Sequence, residues 1–271
     1  MYRLPRAHFC ATFRPLPVAM SFLFNREKRS RKPVVDAVEA EVPQLTDAEL
    51  AAIYYGQRMG GDFYDFLRVS PNRVLFGLLD VAGRHDENGG VVAAAQHTFR
   101  TEAPGLFASE DVNEADAMIQ LCLHLNRTIL QTGGVRSCPA FAGCYNEDLG
   151  TVSYFNAGHT PGLLRHSTGV TELGATGLPL GLFSHATCDA PMVALEPKAA
   201  LLLVSRGIVE GKCKSDEFGL ERVKDGVQRA TATSAKELCV SVLDNVQQFM
   251  RTPPTHNDVT ALALLRGKKA S

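Results

Sequence analysis

The chain has 271 residues, 45% of them hydrophobic and 21% charged, with a net charge of -1. That is enough apolar material for one large domain with a tail, or for two small domains. A near-neutral balance gives no electrostatic case for a nucleic-acid binder. No apolar stretch approaches the roughly 18–20 residues that a bilayer span needs, so no membrane-spanning class is expected.

The cysteines (Cys10, Cys122, Cys138, Cys144, Cys188, Cys213 and Cys239) form no CxxC pair and no Cys/His cluster with zinc spacing. An odd count without a framework is expected of reduced thiols in a cytoplasmic protein, most of them small core hydrophobes.

Up to about residue 35 the chain is basic: Arg3, Arg6, Arg14, Arg26, Lys28, Arg29, Arg31 and Lys32 face Glu27 alone. Pro15 and Pro17 interrupt the apolar run 16–24, and no small-residue cleavage site follows it. Residues 1–45 are therefore expected to be a disordered basic tail and linker. Met20, followed by Ser21, is a candidate start. An intact mass that includes residues 1–19 would overturn it.

Further along, Thr46-Asp47-Ala48-Glu49-Leu50 reads as a turn or cap before a short strand at 51–55. Residues 62–69 and 73–81 read as two strands joined by Ser70-Pro71-Asn72, a hairpin composition. After a break at Gly89-Gly90, 91–101 is an Ala-rich helix. Ala117, Met118, Leu121, Leu125 and Ile129 recur at close to helical period, predicting a helix over 114–130 that Gly133-Gly134 ends.

Strands follow at 140–145, 151–156, 162–165, 192–195 and 199–205, the first three with turn residues between or after them. Helices are predicted over 221–230 and 235–250, the second with the stripe Leu238, Val242, Val246 and Phe249. A last strand at 259–265 leaves a charged tail at 267–271. Hairpin-short connections argue for antiparallel sheets with segregated helices, an α+β layered architecture rather than a doubly wound one.

The chemistry is carried by two acidic strand ends. Gly60-Gly61-Asp62-Phe63-Tyr64-Asp65 opens one strand, and the apolar run Val74-Leu75-Phe76-Gly77-Leu78-Leu79 stops at Asp80. Carboxylates held rigidly where buried strands surface are what a hard divalent cation needs.

These strings also carry a resemblance. Gly60-Gly61-Asp62-Phe63-Tyr64-Asp65-Phe66, Asp80-Val81-Ala82-Gly83, Asn156-Ala157-Gly158-His159-Thr160-Pro161, Leu178-Pro179-Leu180-Gly181, Leu202-Leu203-Val204-Ser205-Arg206-Gly207 and Asn257-Asp258-Val259-Thr260 occur in the order seen in SpoIIE/RsbU-type serine phosphatases. These belong to the PPM class, similar to protein phosphatase 2C. The resemblance runs from about residue 46 to residue 266.

It implies an α-β-β-α sandwich of two antiparallel sheets flanked by helices, and two Mn²⁺ or Mg²⁺ ions that activate a water against phosphoserine or phosphothreonine. It also implies a phosphoprotein or anti-sigma-factor-type partner in bacterial signalling. With no recognisable sensor domain in the chain, a signal is expected to arrive through a partner, a homodimer contact or the N-terminal segment.

Carried over by position, Asp62 is the first acidic ligand, with Asp65 beside it. Asp80 is the metal-bridging aspartate, and Val81 offers a backbone carbonyl. The family's Ser-Asp-Gly here reads Ser205-Arg206-Gly207, and its Asp-Asp/Asn-x-Thr reads Asn257-Asp258-Val259-Thr260. Arginine has only donors and a permanent charge, and asparagine keeps an oxygen without the charge. Asp258 lies next door, but neighbouring strand residues face opposite ways.

Two lost carboxylates and one gained cation move the local charge about three units toward positive. The resulting expectation is a degenerate site in which Arg206 pairs with Asp80 or Asp62 and replaces a metal electrostatically. The domain would then be a pseudophosphatase or very weak enzyme acting by protein binding, with Mn or Mg as cofactor only if it is active. Two other readings remain open: a working phosphatase with one ion held by Asp62, Asp80 and Asp258, and a purely structural interaction domain. His159 and His85 are read as loop-shaping residues rather than catalytic ones.

Overall fold

The structure, a computed structural model, describes residues 40–55, 61–81, 85–133, 137–250 and 258–267, without the side chains of 85–87. The chain divides after residue 33, and everything below concerns the second part. The expectations for residues 1–39 and 268–271, and for Gly60, Ala82, Gly83, Arg84, the His85 side chain and Asn257, lie outside the described residues.

In chain order the elements are β1 (Ala48–Tyr55), β2 (Asp62–Ser70), β3 (Arg73–Asp80), α1 (His85–Leu106), α2 (Glu114–Gln131), β4 (Ala140–Asn146), β5 (Thr151–Ala157), β6 (Gly162–His166), β7 (Gly169–Leu173), β8 (Met192–Ala194) and β9 (Ala200–Val204). Then come α3 (Arg206–Val209), β10 (Lys212–Cys213), β11 (Asp216–Glu217), α4 (Gly219–Arg229), α5 (Ala235–Met250) and β12 (Val259–Arg266). Two five-stranded sheets form, ordered β1-β12-β9-β6-β7 and β2-β3-β4-β5-β8. Their pairings are antiparallel.

Strand alternation builds three apolar layers. From β3, Val74, Phe76 and Leu78 point between the sheets, where they meet Leu201 and Leu203 of β9 and Leu262 and Leu264 of β12. The alternate residues Leu75 and Leu79 face α1 and α2, against Phe99, Met118 and Leu121. On the other side Ala200, Leu202, Val204, Ala261 and Ala263 pack under Leu238, Val242 and Val246 of α5. Strands covered on both faces read as continuous apolar runs, which is why the central ones stand out in the sequence. The layers are α-β-β-α, as the resemblance implies.

Two local expectations are corrected, and four short elements were not foreseen. Residues 46 and 47 do form a bend, but Ala48–Leu50 already belong to β1, whose eight residues all pair with β12. Tertiary pairing overrides the weak strand propensity of Ala48 and Glu49. Gly89 and Gly90 do not break the helix. Val91, Ala95, Phe99 and Ala103 form one buried stripe that carries α1 from residue 85 to 106. β7, half-exposed and five residues long, and the short α3, β10 and β11 gave too little periodicity to be seen.

α2 is anchored at its start by a buried polar cluster. Asn113 caps it, accepting from Ala115 N at 3.1 Å and Asp116 N at 3.3 Å. Arg73 Nε and Asn146 Nδ2 each donate to Glu114 Oε1 at 2.7 Å, and Ser153 Oγ donates to Oε2 at 3.2 Å. Breaking such a buried pair strands a charge, whereas replacing both partners does not. Glu114→Ala is expected to lower unfolding free energy by about 3–5 kcal/mol in urea denaturation, and Arg73→Met with Glu114→Met by less than that.

Candidate functional site

The site lies at the mouth of the sandwich where β2 begins and β3 ends. Asp62 and Asp80 are register partners across that ladder, so their side chains leave the same face. Two backbone bonds fix the rim: Val81 N donates to Gly61 O at 2.7 Å and Asp80 N to Pro139 O at 2.8 Å.

Sheet-to-sheet closure comes from Arg206, the first residue after the N-cap Ser205 that follows β9. Its Nε donates to Asp80 Oδ2 at 2.6 Å and its second terminal nitrogen to Oδ1 at 3.1 Å. Both oxygens of Asp80 are thus engaged by one planar fork. Asp80 is 4% exposed. The Arg206 side chain is 45% exposed, so the pair has a buried acidic half and a solvated basic half. The carboxylate also holds the Arg206 guanidinium above its usual value.

Asp62 is tied to the last strand, accepting from Thr260 Oγ1 at 2.7 Å. Burial pushes its carboxyl up to about 7, and the charges of Asp80 and Asp258 add to that; hydrogen bonds from Thr260 and Ser205 oppose it. Asp258 also reaches the site. It precedes β12 by one residue and shares the parity of Thr260, which faces Asp62, so the neighbour-parity objection does not exclude it. Asp258 Oδ2 accepts from Gly61 N at 2.8 Å. Tyr54, at the end of β1, also hydrogen-bonds Asp258; its phenol is pushed up first by burial and then by that carboxylate. Tyr54 was missed in the sequence, where the end of β1 gave no hint that it meets β12.

Asp65 does not join this group. Three residues along a strand is an odd step, so it faces α1. There it accepts from Arg100 at 2.8 and 2.9 Å and from Gln96 at 3.3 Å. The expectation that it accompanies Asp62 is corrected on that ground. The Val81 carbonyl accepts from Asn88 Nδ2 at 3.1 Å.

His159 lies against the same floor, 5% exposed. Gly158 before it has φ +68°, and a β-carbon there would lie 2.5 Å from Pro179 Cγ, so only glycine brings the Leu178-Pro179-Leu180 segment this close. Thr160 Oγ1 donates to Val204 O, so that hydroxyl can only accept from His159 Nδ1 at 3.0 Å. The Thr160 carbonyl, 3.1 Å from Nδ1, can likewise only accept. The ring proton therefore sits on Nδ1 and leaves Nε2 a lone pair, buried with no hydrogen-bond partner among the described residues. Burial pushes the imidazole down to about 4; Asp80 opposes this and Arg206 reinforces it.

The donor set fits a pair of divalent ions poorly. Asp80 is committed to a guanidinium, and a dication 4 Å from that cation meets about 8 kcal/mol of repulsion at an effective dielectric of 20. Among the described residues no three His, Cys, Asp or Glu side chains are grouped to hold an ion.

Layer order and acidic strand ends together define the fold of the PPM class of phosphatase domains. The chain belongs to the SpoIIE family: the model for stage II sporulation protein E (SpoIIE) matches residues 70–266. Similar solved structures include the RsbU and RsbW domains of Rv1364c from Mycobacterium tuberculosis (TM-score 0.69, 23% identity, covering 85% of this chain and 64% of that one). The PP2C domain with a regulatory fragment of SpoIIE from Bacillus subtilis gives TM-score 0.64 and 16% identity, covering 82% and 64%. The SiaA PP2C domain of Pseudomonas aeruginosa gives 0.65 and 15%, covering 80% and 84%.

Among curated proteins, IcfG of Synechocystis sp. is 25% identical over 132 residues, 46% of this chain and 20% of IcfG. The chain thus spans about a fifth of that relative. No helix among the described residues is long and apolar enough to cross a membrane.

Two measurements test this geometry. Asp62, with its proton affinity raised on folding, contributes stability that is present below its unfolded value of 3.8 and is lost as pH rises through about 7. The stability of Asp62→Asn minus that of the wild type should therefore increase between about pH 5 and about pH 8; a pH-independent difference would contradict the raised carboxyl. Arg206→Ala removes a cation and frees Asp80, and both changes raise the His159 imidazole from about 4. NMR titration of that ring reads the shift.

Proposed function

We propose that this domain is a SpoIIE/RsbU-like protein-binding module, a pseudophosphatase or very weak enzyme whose mouth is organised by Arg206 in place of divalent ions. It acts in a bacterial, cytoplasmic partner-switching system on a phosphoprotein or anti-sigma-type partner. The observation that carries this reading is the two-bond Arg206–Asp80 pair. It occupies both oxygens of the carboxylate that a metal-dependent relative would use to bridge ions, and it puts a fixed positive charge beside them. The Mycobacterium structure, which holds an RsbU domain together with an RsbW domain, supports the choice of partner class.

In this reading the residues act by holding shape. Arg206 ties β9 to β3 across the mouth, Thr260 ties β12 to β2 through Asp62, and Asp258 fixes the Gly61 backbone. A partner meets a preformed, ion-free surface whose solvated edge is the guanidinium.

The alternative is an Mn- or Mg-dependent phosphoserine/phosphothreonine phosphatase with a variant site. The position of Asp258 beside Asp62 favours it, because it returns one carboxylate to the set.

Calorimetry with Mn²⁺ separates the two. The wild type is expected to bind no more tightly than about millimolar, and Arg206→Asp with Asn257→Asp to gain at least about tenfold in affinity together with hydrolysis of a generic phosphoester. A tight two-site isotherm in the wild type, or Mn²⁺-dependent phosphate release from a phosphopeptide, would overturn the proposal.

A further inference from the structure

The two sheets end in four edge strands, β1 and β7 in one and β2 and β8 in the other. An unpaired edge is a template for another strand, and three of these four are blunted against it. β8 has three residues and follows Pro191. β7 has five, and its Glu172 is held by Lys224 Nζ at 2.7 Å. On β2 the register shifts between Arg68 and Ser70, and the Arg68 guanidinium donates to Gln44 O. The Val81–Gly61 bond turns odd-numbered residues of β2 toward β3, so the Phe66 amide points outward; it donates to Asp65 Oδ1 at 2.9 Å.

β1 has none of these devices. Its residues, Ala48-Glu49-Leu50-Ala51-Ala52-Ile53-Tyr54-Tyr55, pair with β12 in one unbroken register and include one charge and no proline or lysine. Gly267 N donates to Asp47 O at 2.7 Å, which sets odd-numbered residues toward β12 and turns the amides and carbonyls of Ala48, Leu50 and Ala52 outward. None of these groups has a hydrogen-bond partner among the described residues. Both faces of the strand are nonetheless covered: Leu50 and Ala52 pack between the sheets, and Ala51 and Ile53 pack under α5. The strand is firmly placed and open only along its edge.

We propose that this edge is a dimerisation surface whose occupant is β1 of a second copy, antiparallel and two-fold symmetric about Leu50. Ala48 of each copy then lies opposite Ala52 of the other, and Leu50 opposite Leu50, which gives every one of those outward groups a partner and joins two sheets into one. Charge and apolar surface favour a second copy as the occupant. Glu49, the one charge, falls opposite Ala51 and not opposite its own counterpart. The exposed Val42 and Tyr55 flank the strand at opposite ends, and antiparallel pairing brings Tyr55 of each copy to the Val42 end of the other. With no other open edge among the described residues, pairing closes at two copies instead of running on as a fibre. β1 runs toward the mouth, where Tyr54 meets Asp258, so the two mouths open at opposite ends of the dimer and stay free. The inference stands whether or not Asp80 takes an ion.

The test uses the full chain. Sedimentation equilibrium should show particles going from one chain to two as concentration rises from micromolar to near-millimolar. Over the same range, hydrogen exchange at the Ala48, Leu50 and Ala52 amides should slow by at least about tenfold, while the Ala51 and Ile53 amides, bonded to β12, are slow throughout. Ala48→Pro with Ala52→Pro removes two outward donors and leaves the bonds to β12 intact, and should weaken self-association by at least about tenfold. The wild-type exchange pattern decides the matter even where that variant fails to fold. A single chain per particle at every concentration, a dimer in which those three amides exchange unchanged, or assemblies larger than two would overturn the proposal. Protection of the three amides already complete in the monomer would also overturn it, by showing that the chain covers its own edge.

Discussion

One ion pair sets the terms for the whole mouth of this molecule. Asp80 ends β3, an interior strand of one sheet, and Arg206 follows β9, the central strand of the other, 126 residues later. Two sheets packed face to face by apolar side chains are held firmly in their middle, but their ends carry loops and exposed backbone. A planar guanidinium gripping both oxygens of a buried carboxylate closes that gap with fixed geometry. Once it is in place, the carboxylates on either side are handled by neutral donors: Thr260 for Asp62, Tyr54 and the Gly61 amide for Asp258. The positive charge at that pair is covalently part of the chain.

The buried half of the site shows what this arrangement leaves over. His159 keeps a lone pair pointed away from its own hydrogen-bonded side, in a place water does not reach. The raised carboxyl of Asp62 and the depressed imidazole of His159 pull stability in opposite directions as pH changes, so between about pH 4 and about pH 6.5 each offsets part of the other's effect.

Much of the layer structure was legible because strands covered on both faces must be apolar throughout. The runs ending at Asp80 and Ser205 and the α5 stripe are direct readings of that constraint. The acidic strand ends were legible for the opposite reason, as charge that interrupts an apolar run. Contacts set by three-dimensional closure were harder. That Arg206 faces Asp80 and not Asp62 depends on how two sheets twist over one another, and no spacing rule spans that distance. Asp258 was discounted by comparing it with its neighbour, when the useful comparison was with Thr260 two residues on. Asp65 could have been placed from parity alone.

Asp47 adds a different consequence. Its carboxylate accepts from Arg266 Nε at 2.9 Å and from the Tyr145 hydroxyl at 2.8 Å, and its carbonyl accepts from Gly267 N at 2.7 Å. The strand that enters the sandwich and the strand that leaves it are clasped at one residue, at the end remote from the carboxylates. Tension applied to residues flanking this clasp would load the eight-pair ladder of β1 and β12. The mouth, at the other end of that ladder, would stay mechanically unloaded.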